Sequence, residues 1–305
     1  MRVMVCGGSG FVGRAVVEGL RARGHGVRVL TRGTRSAMAG VEWVTGGVGD
    51  AGAMARACEG SEAVVYLAGI IAEAGDQTYD WVHREGVERV LGAARAAGVG
   101  RWVQMSALGT RPGARSRYHQ TKWAGEEAVR GSGMAWTIFR PSLIHGEGDG
   151  FLGFFERMSR WSPVLPVMGR PDALFQPVWV GDVARAFASA MEARASEGKV
   201  YDLCGPGRWT MRGMLGLMLR VTGRRRLLAG VPGGAAWFQA WVAEKVVGGW
   251  VGRTPPLCRD QLVMLEEDNV GDAGPAAKEL GLEFSGLEER LRDRWGKDRE
   301  GFFSS

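Results

Sequence analysis

Apolar and polar positions alternate in two periods along the first half of the chain. "RVMVC" (2–6) is a continuous apolar run of strand length. "FVGRAVVEGLRARG" (11–24) then repeats its apolar positions at helical spacing. The pattern recurs. Strands are predicted at 26–32, 41–45, 62–69, 101–106 and 134–141, and helices at 50–60, 77–100 and 116–133. Continuous apolar strands separated by amphipathic helices predict a parallel sheet covered on both faces, a doubly wound α/β fold of Rossmann type. Later, 177–192 reads as strand plus helix and 199–206 as a further strand. From Thr210 onward helices dominate, broken by turns at Val231-Pro232-Gly233-Gly234 and Arg253-Thr254-Pro255-Pro256. The expected division is a sheet domain over 1–205 and a smaller, mostly helical lobe over 206–305, with 146–175 contributing to the lobe.

In such a sheet, ligands bind at the carboxyl ends of the strands. "MVCGGSGFVG" places Gly7, Gly10 and Gly13 there, with Phe11 and Val12, between the first strand and the first helix. Glycine lets the backbone turn tightly and approach a pyrophosphate, and the helix N-terminus adds free N–H donors. The second strand ends in Thr31-Arg32, with Arg35 close behind, where a carboxylate would favour a free ribose diol. A guanidinium suits a 2′-phosphate, so NADP(H) is favoured over NAD(H). Asp50 is expected to cap the following helix, to meet the adenine amine, or both. Ala68 and Gly69, after the fourth strand, fall at the same sheet end.

"RYHQTKWAGEE" (117–127) carries Tyr118 and Lys122 on one helix face, at i and i+4. The ammonium is expected to lower the phenol pKa and tune it for proton transfer. Ser106, ending the fifth strand, is placed to hold the same substrate oxygen. His119 is expected to face solvent, and His145 and Glu147 to lie near the pocket.

Composition changes this picture little. The net charge of +6 and pI near 9.4 suit an anionic partner. Arg224-Arg225-Arg226 is the one tight basic run, so a phosphorylated small molecule fits better than nucleic acid. Cys6, Cys58, Cys204 and Cys258 are scattered, which argues against a metal site or disulfide framework and for a reducing, cytoplasmic setting. Neither a secretory signal nor a spanning helix is expected. "PGGAAWFQAWVAEKVVGGWV" (232–251) reads as a core helix, a lid, or a docking helix for a membrane surface or partner.

The glycine turn, "SALG" after the fifth strand, Y-x-x-x-K in the next helix and "FRPSLIHGEGD" after the sixth strand together resemble the extended and atypical short-chain dehydrogenase/reductases. The resemblance covers residues 1 to about 205. It implies that Tyr118 is the acid/base, with Lys122 as its partner, and that Pro141, Ser142, Leu143 and Ile144 form the loop against the nicotinamide. His83 stands where active members often carry asparagine, and Ser106 sits one or two places early for the catalytic serine or threonine. "QPVWVGDVARAF" and "TPPLCRDQLVMLEEDNV" (254–270) are similar to the subgroup related to the NADPH-binding accessory subunit of respiratory complex I. The superfamily resemblance implies an oxidoreductase or epimerase-like enzyme. The subgroup similarity allows instead a non-catalytic NADPH-binding module on a respiratory or other complex, peripheral to the inner face of a membrane. Substrate and oligomeric state stay open at this level.

Overall fold

The computed structural model describes residues 1–33, 38–250 and 257–296. The strands of the main sheet are β1 (Arg2–Cys6), β2 (Gly26–Thr31), β3 (Val41–Thr45), β4 (Ala63–Tyr66), β5 (Arg101–Met105), β6 (Ala135–Pro141) and the edge strand Lys199–Leu203. Their order is edge strand–β6–β5–β4–β1–β2–β3, and every pairing is parallel. The sheet therefore winds outward in both directions from the β1/β4 boundary. That boundary is where a ligand crevice opens in this topology.

Strand alternation builds two cores. Val3 and Val5 face one side, with Val16, Val17 and Leu20 of α1 (Phe11–Ala22) and Val183 and Phe187 of the later helix Val180–Glu192. Met4 and Cys6 face the other. There they meet α2 (Ala51–Cys58), α3 (Gly86–Ala96) and α4 (Arg117–Arg130). The side-chain period of two in a strand is what sends neighbours to opposite layers.

The segment predicted as a single helix over 77–100 departs from that expectation. A π-helical turn, Trp81–Glu85, precedes α3. The buried Tyr66 hydroxyl donates to Val82 O at 2.7 Å, inside the turn. A side chain inserted into the helical ladder is a known cause of such a turn, and π-turns recur at functional sites.

Beyond β6, α5 (Leu152–Trp161), helix Met211–Val221 and helix Leu287–Trp295 share a third core with the strand pair Val164–Val167 and Leu227–Gly230. Between these, Ala276, Leu280 and Leu282 return to the first core of the main sheet. Helix Gly233–Ala243 buries Ala236 and Ala240 against Leu262, while Trp237, Phe238 and Trp241 are exposed. Its aromatic side chains are thus not core residues, because the small alanines occupy the inward face. Among the described residues no helix is long and apolar enough to cross a membrane.

Candidate active site

The glycine turn is fixed by close backbone approach. Gly7 has φ +86°, and a Cβ on it would stand 2.8 Å from Ala68 N. A Cβ on Gly13 would stand 2.2 Å from Gly7 O. At Gly10 a Cβ would meet only Gly7 O, at 3.6 Å, so that side is open. Gly10 is the N-cap of α1 and offers no side-chain cap, leaving the first N–H groups of the helix to an incoming anion. Gly8 belongs to the packing instead. A Cβ there would strike Val29 at 2.9 Å.

At the end of β2, Thr31 Oγ1 accepts from Gly33 N and bonds Ser9 Oγ at 3.1 Å. Arg32 is exposed and extends over Gly47, whose added Cβ would lie 2.9 Å from the arginine stem. Arg35 lies outside the described residues. Asp50 caps α2, accepting Ala53 N–H at 2.9 Å, and its residue also lines the cleft.

Ser116 starts α4 by accepting His119 N–H at 3.2 Å. A second cap comes from far along the chain. Asp260 accepts the N–H groups of Arg117 at 2.8 Å and Tyr118 at 2.9 Å. A carboxylate on these orphan donors favours the helix twice, through hydrogen bonds and through the macrodipole. The backbone of Tyr118 is therefore held by the C-terminal part of the chain.

Tyr118 and Lys122 face the same cleft, but they do not touch as expected. Lys122 Nζ lies 5.8 Å from the Tyr118 ring centroid and donates to Met105 O at 3.3 Å. Burial pushes the phenol up to about 12 and the ammonium down to about 8, the latter partly offset by Glu126. The expectation that lysine lowers the tyrosine pKa is thus corrected, because burial dominates at the phenol and no hydrogen bond joins Lys122 Nζ to Tyr118 Oη. Ser106 is buried, its Oγ 3.4 Å from Thr110 Oγ1, and its residue lines the same cleft.

His83 is held on both ring nitrogens. Nε2 accepts Ile70 N–H at 3.1 Å, so Nδ1 carries the proton and donates to Thr121 Oγ1 at 3.0 Å. Burial first, and then the Lys122 cation, hold it neutral. Its ring stands edge-on to Tyr118, with centroids 5.2 Å apart. A Cβ on Gly125 would meet His83 O at 2.2 Å, so glycine lets α4 close onto this turn. His119 does not face solvent. It is buried, bonded through Nδ1 to Ser116 Oγ at 2.8 Å, and lines the cleft. His145 is buried away from the cleft lining and Glu147 is exposed, so neither joins the site.

One cleft of about 1430 Å³ joins these groups. One end holds Gly7, Gly10, Phe11, Val12, Gly13, Arg32 and Asp50. Its middle holds Ala68, Gly69, Ser106, Tyr118, Lys122 and Pro141, Ser142, Leu143 and Ile144. The far end is largely apolar, with Phe151, Phe154, Phe175, Met168, Leu257 and Met264, beside the polar Gln261, Glu267, Asp268 and Asn269. Segment 257–269 closes this end. Asn269 Oδ1 accepts from Ser142 Oγ at 2.5 Å, and Asn269 Nδ2 donates to Leu108 O at 3.2 Å. Ion pairs Arg111–Glu267 and Arg115–Glu266 pin the same segment. Thr254 to Pro256 lie outside the described residues. The roles of Asp260 and Asn269 are not legible in the sequence, since their partners lie more than a hundred residues away. The only local signal is the segment "CRDQLVMLEEDNV" (258–270) itself.

The residues fit a dinucleotide. The turn presents bare backbone where a Cβ would intrude, α1 offers free donors, and no carboxylate ends β2. The comparisons agree. Residues 7–153 match the NAD(P)H-binding family and residues 109–225 the RmlD substrate binding domain. The chain is 37% identical over 175 residues to ceramide reductase of Caulobacter vibrioides, a match covering 55% of this chain and 54% of that protein. It is 32% identical over 231 residues to (4-alkanoyl-5-oxo-2,5-dihydrofuran-3-yl)methyl phosphate reductase of Streptomyces griseus, covering 73% of this chain and 74% of that protein. Subunit 9 of the NADH dehydrogenase 1 alpha subcomplex of Mus musculus matches at 25% over 298 residues, covering 93% of this chain and 77% of that one. The solved UDP-glucose 4-epimerase of Thermotoga maritima has a TM-score of 0.75 at 20% identity, covering 99% of both chains. The chain belongs to the extended short-chain dehydrogenase/reductase superfamily and carries its NAD(P)-binding fold.

Proposed function

We propose that the protein is an NADP(H)-dependent reductase of a carbonyl group on a substrate with an apolar body. The observation that carries this reading is Tyr118, a protonated phenol in the same cleft as the glycine turn, backed by an apolar wall. Residues 1–205 hold the nucleotide in this reading, and 206–305 with 146–175 hold the substrate. Gly7, Gly10 and Gly13 face the pyrophosphate, Arg32 the 2′-phosphate, Asp50 the adenine, and the loop Pro141–Ile144 the nicotinamide, which supplies hydride when bound. Ser106 orients the carbonyl oxygen. Tyr118 Oη gives that oxygen its proton, and the nearby Lys122 ammonium stabilises the phenolate left behind. The names of two relatives fit the apolar wall, since one is a reductase of ceramide and the other of an alkanoyl compound.

The test follows NADPH oxidation with methyl ketones of increasing chain length. Each methylene buried against the apolar wall contributes about 0.8 kcal/mol, so kcat/KM is expected to rise about fourfold per carbon until the wall is covered. A flat response, or turnover of nucleotide sugars alone, defeats the apolar assignment. For the cofactor, Arg32→Ala is expected to weaken NADPH binding by about tenfold or more, the scale of a lost bond to a charged group. NADH binding should stay unchanged. Equal losses for both would remove the preference for NADP(H).

A second reading is favoured by the respiratory-complex relative, which matches along nearly the whole chain, and by His83 in the asparagine position. In it the protein holds NADPH without turnover and docks on a larger assembly. It predicts tight NADPH binding, no ketone reduction, and a silent Tyr118→Phe.

A further inference from the structure

The Arg224–Arg226 run has no part in the site described above, and it adjoins an anomalous surface. Trp161, which ends α5, is 90% exposed. Beside it, Leu227 pairs with Val164 across the small parallel ladder, and these two are 65% and 37% exposed. Leu227 N donates to Pro163 O at 2.9 Å, and Arg226 Nε donates to Ser159 O at 2.8 Å, which binds the run to the end of α5. One buried acid, Glu156, is shared by Arg160 at 3.1 Å and Arg224 at 2.7 Å. Among the described residues, Arg157, Arg225 and Arg226 form no ion pair. The result is an exposed tryptophan and two aliphatic side chains set among excess positive charge.

Helix α5 links this patch to the cleft. Phe154, Met158 and Trp161 lie at i, i+4 and i+7, one stripe along α5. Phe154 lines the cleft at one end of the stripe, and Trp161 stands at the other.

We propose that this corner of the lobe docks on an anionic lipid bilayer, with Trp161 and Leu227 in the headgroup region and Arg225 and Arg226 against lipid phosphates. Charge complementarity selects this occupant. A second copy would bring the same arginines together, whereas a membrane surface rich in anionic lipid attracts them. Aromatic and aliphatic side chains ringed by arginine are the composition of an interfacial anchor. The route along α5 into the cleft rests on the reading of an apolar substrate. The docking does not.

The test is flotation of the full chain with phosphatidylcholine vesicles, with and without about a third phosphatidylglycerol. Binding is expected to the anionic vesicles and to be much weaker to the neutral ones. Arg225→Gln should weaken it about fivefold, the scale of about 1 kcal/mol per arginine near such a surface. Trp161→Ser should weaken it about tenfold, the scale of burying one large apolar side chain. Both positions are exposed, so NADPH binding should be intact in each variant and reports a retained fold. No flotation with anionic vesicles, indifference to Trp161→Ser, or displacement by duplex DNA would each overturn the proposal. Tyr118→Phe should float like the wild type, so a failed reductase reading and a failed docking site give different results.

Discussion

Tyr118→Phe is expected to lower kcat about a thousandfold, within the range for removing a positioned proton donor. The change deletes only Oη, for which no hydrogen-bond partner is found among the described residues. The ring keeps its edge contacts with His83 at 5.2 Å, His119 at 5.3 Å and Tyr79 at 6.0 Å. NADPH affinity should therefore move by less than about twofold, and stability by less than about 0.5 kcal/mol. A variant that retains a tenth of wild-type turnover would remove Tyr118 from the mechanism. The pH profile adds an independent check. The phenol stays protonated up to about 12, so its own ionisation does not limit reduction near neutrality. Lys122, pushed down to about 8 by burial, carries its charge below that pH and loses it above. Since the cation stabilises the phenolate formed, kcat/KM in the direction of reduction is expected to fall as pH rises through about 8.

What the chain discloses in advance depends on the range of the interactions involved. All seven sheet strands were legible, because each is a short apolar run whose partners need only be other such runs. The glycine turn was legible for the same reason, being a local backbone demand. The π-turn was not. Its Val82 carbonyl accepts the Tyr66 hydroxyl, which arrives from β4. His119 beside the tyrosine looked like a surface residue, since nothing local says that Ser116 will hold its ring inward. The tyrosine pKa is not legible because i, i+4 spacing gives a shared face, not a distance from Nζ to Oη, and burial belongs to the whole fold. Asp260 capping α4 from 142 residues away is a purely tertiary fact. The Asp260 cap marks a place where a C-terminal segment closes on α4.

Gly13→Ala is the second large effect, expected to weaken NADPH binding at least about a hundredfold, on the argument that a shift near one ångström at a binding turn can cost that much. The new Cβ would stand 2.2 Å from Gly7 O and 2.7 Å from Gly8 Cα, both backbone atoms that cannot rotate aside. Helix α1 must then move away from the turn, and it takes its free N–H donors with it. Since Gly13 is buried, overpacking there should also cost about 2 kcal/mol of stability. Gly10→Ala separates the two consequences. Its φ of −76° suits any residue, and its Cβ would meet only Gly7 O, at 3.6 Å. That variant should melt like the wild type yet bind NADPH poorly, because its methyl group projects into the open side where the pyrophosphate would approach. Titration with NADPH and thermal melting of both variants decide the matter. A Gly13→Ala protein with wild-type melting and affinity would mean that the turn does not hold the pyrophosphate. If Gly10→Ala alone kept full affinity, the phosphate would have to lie elsewhere along the cleft.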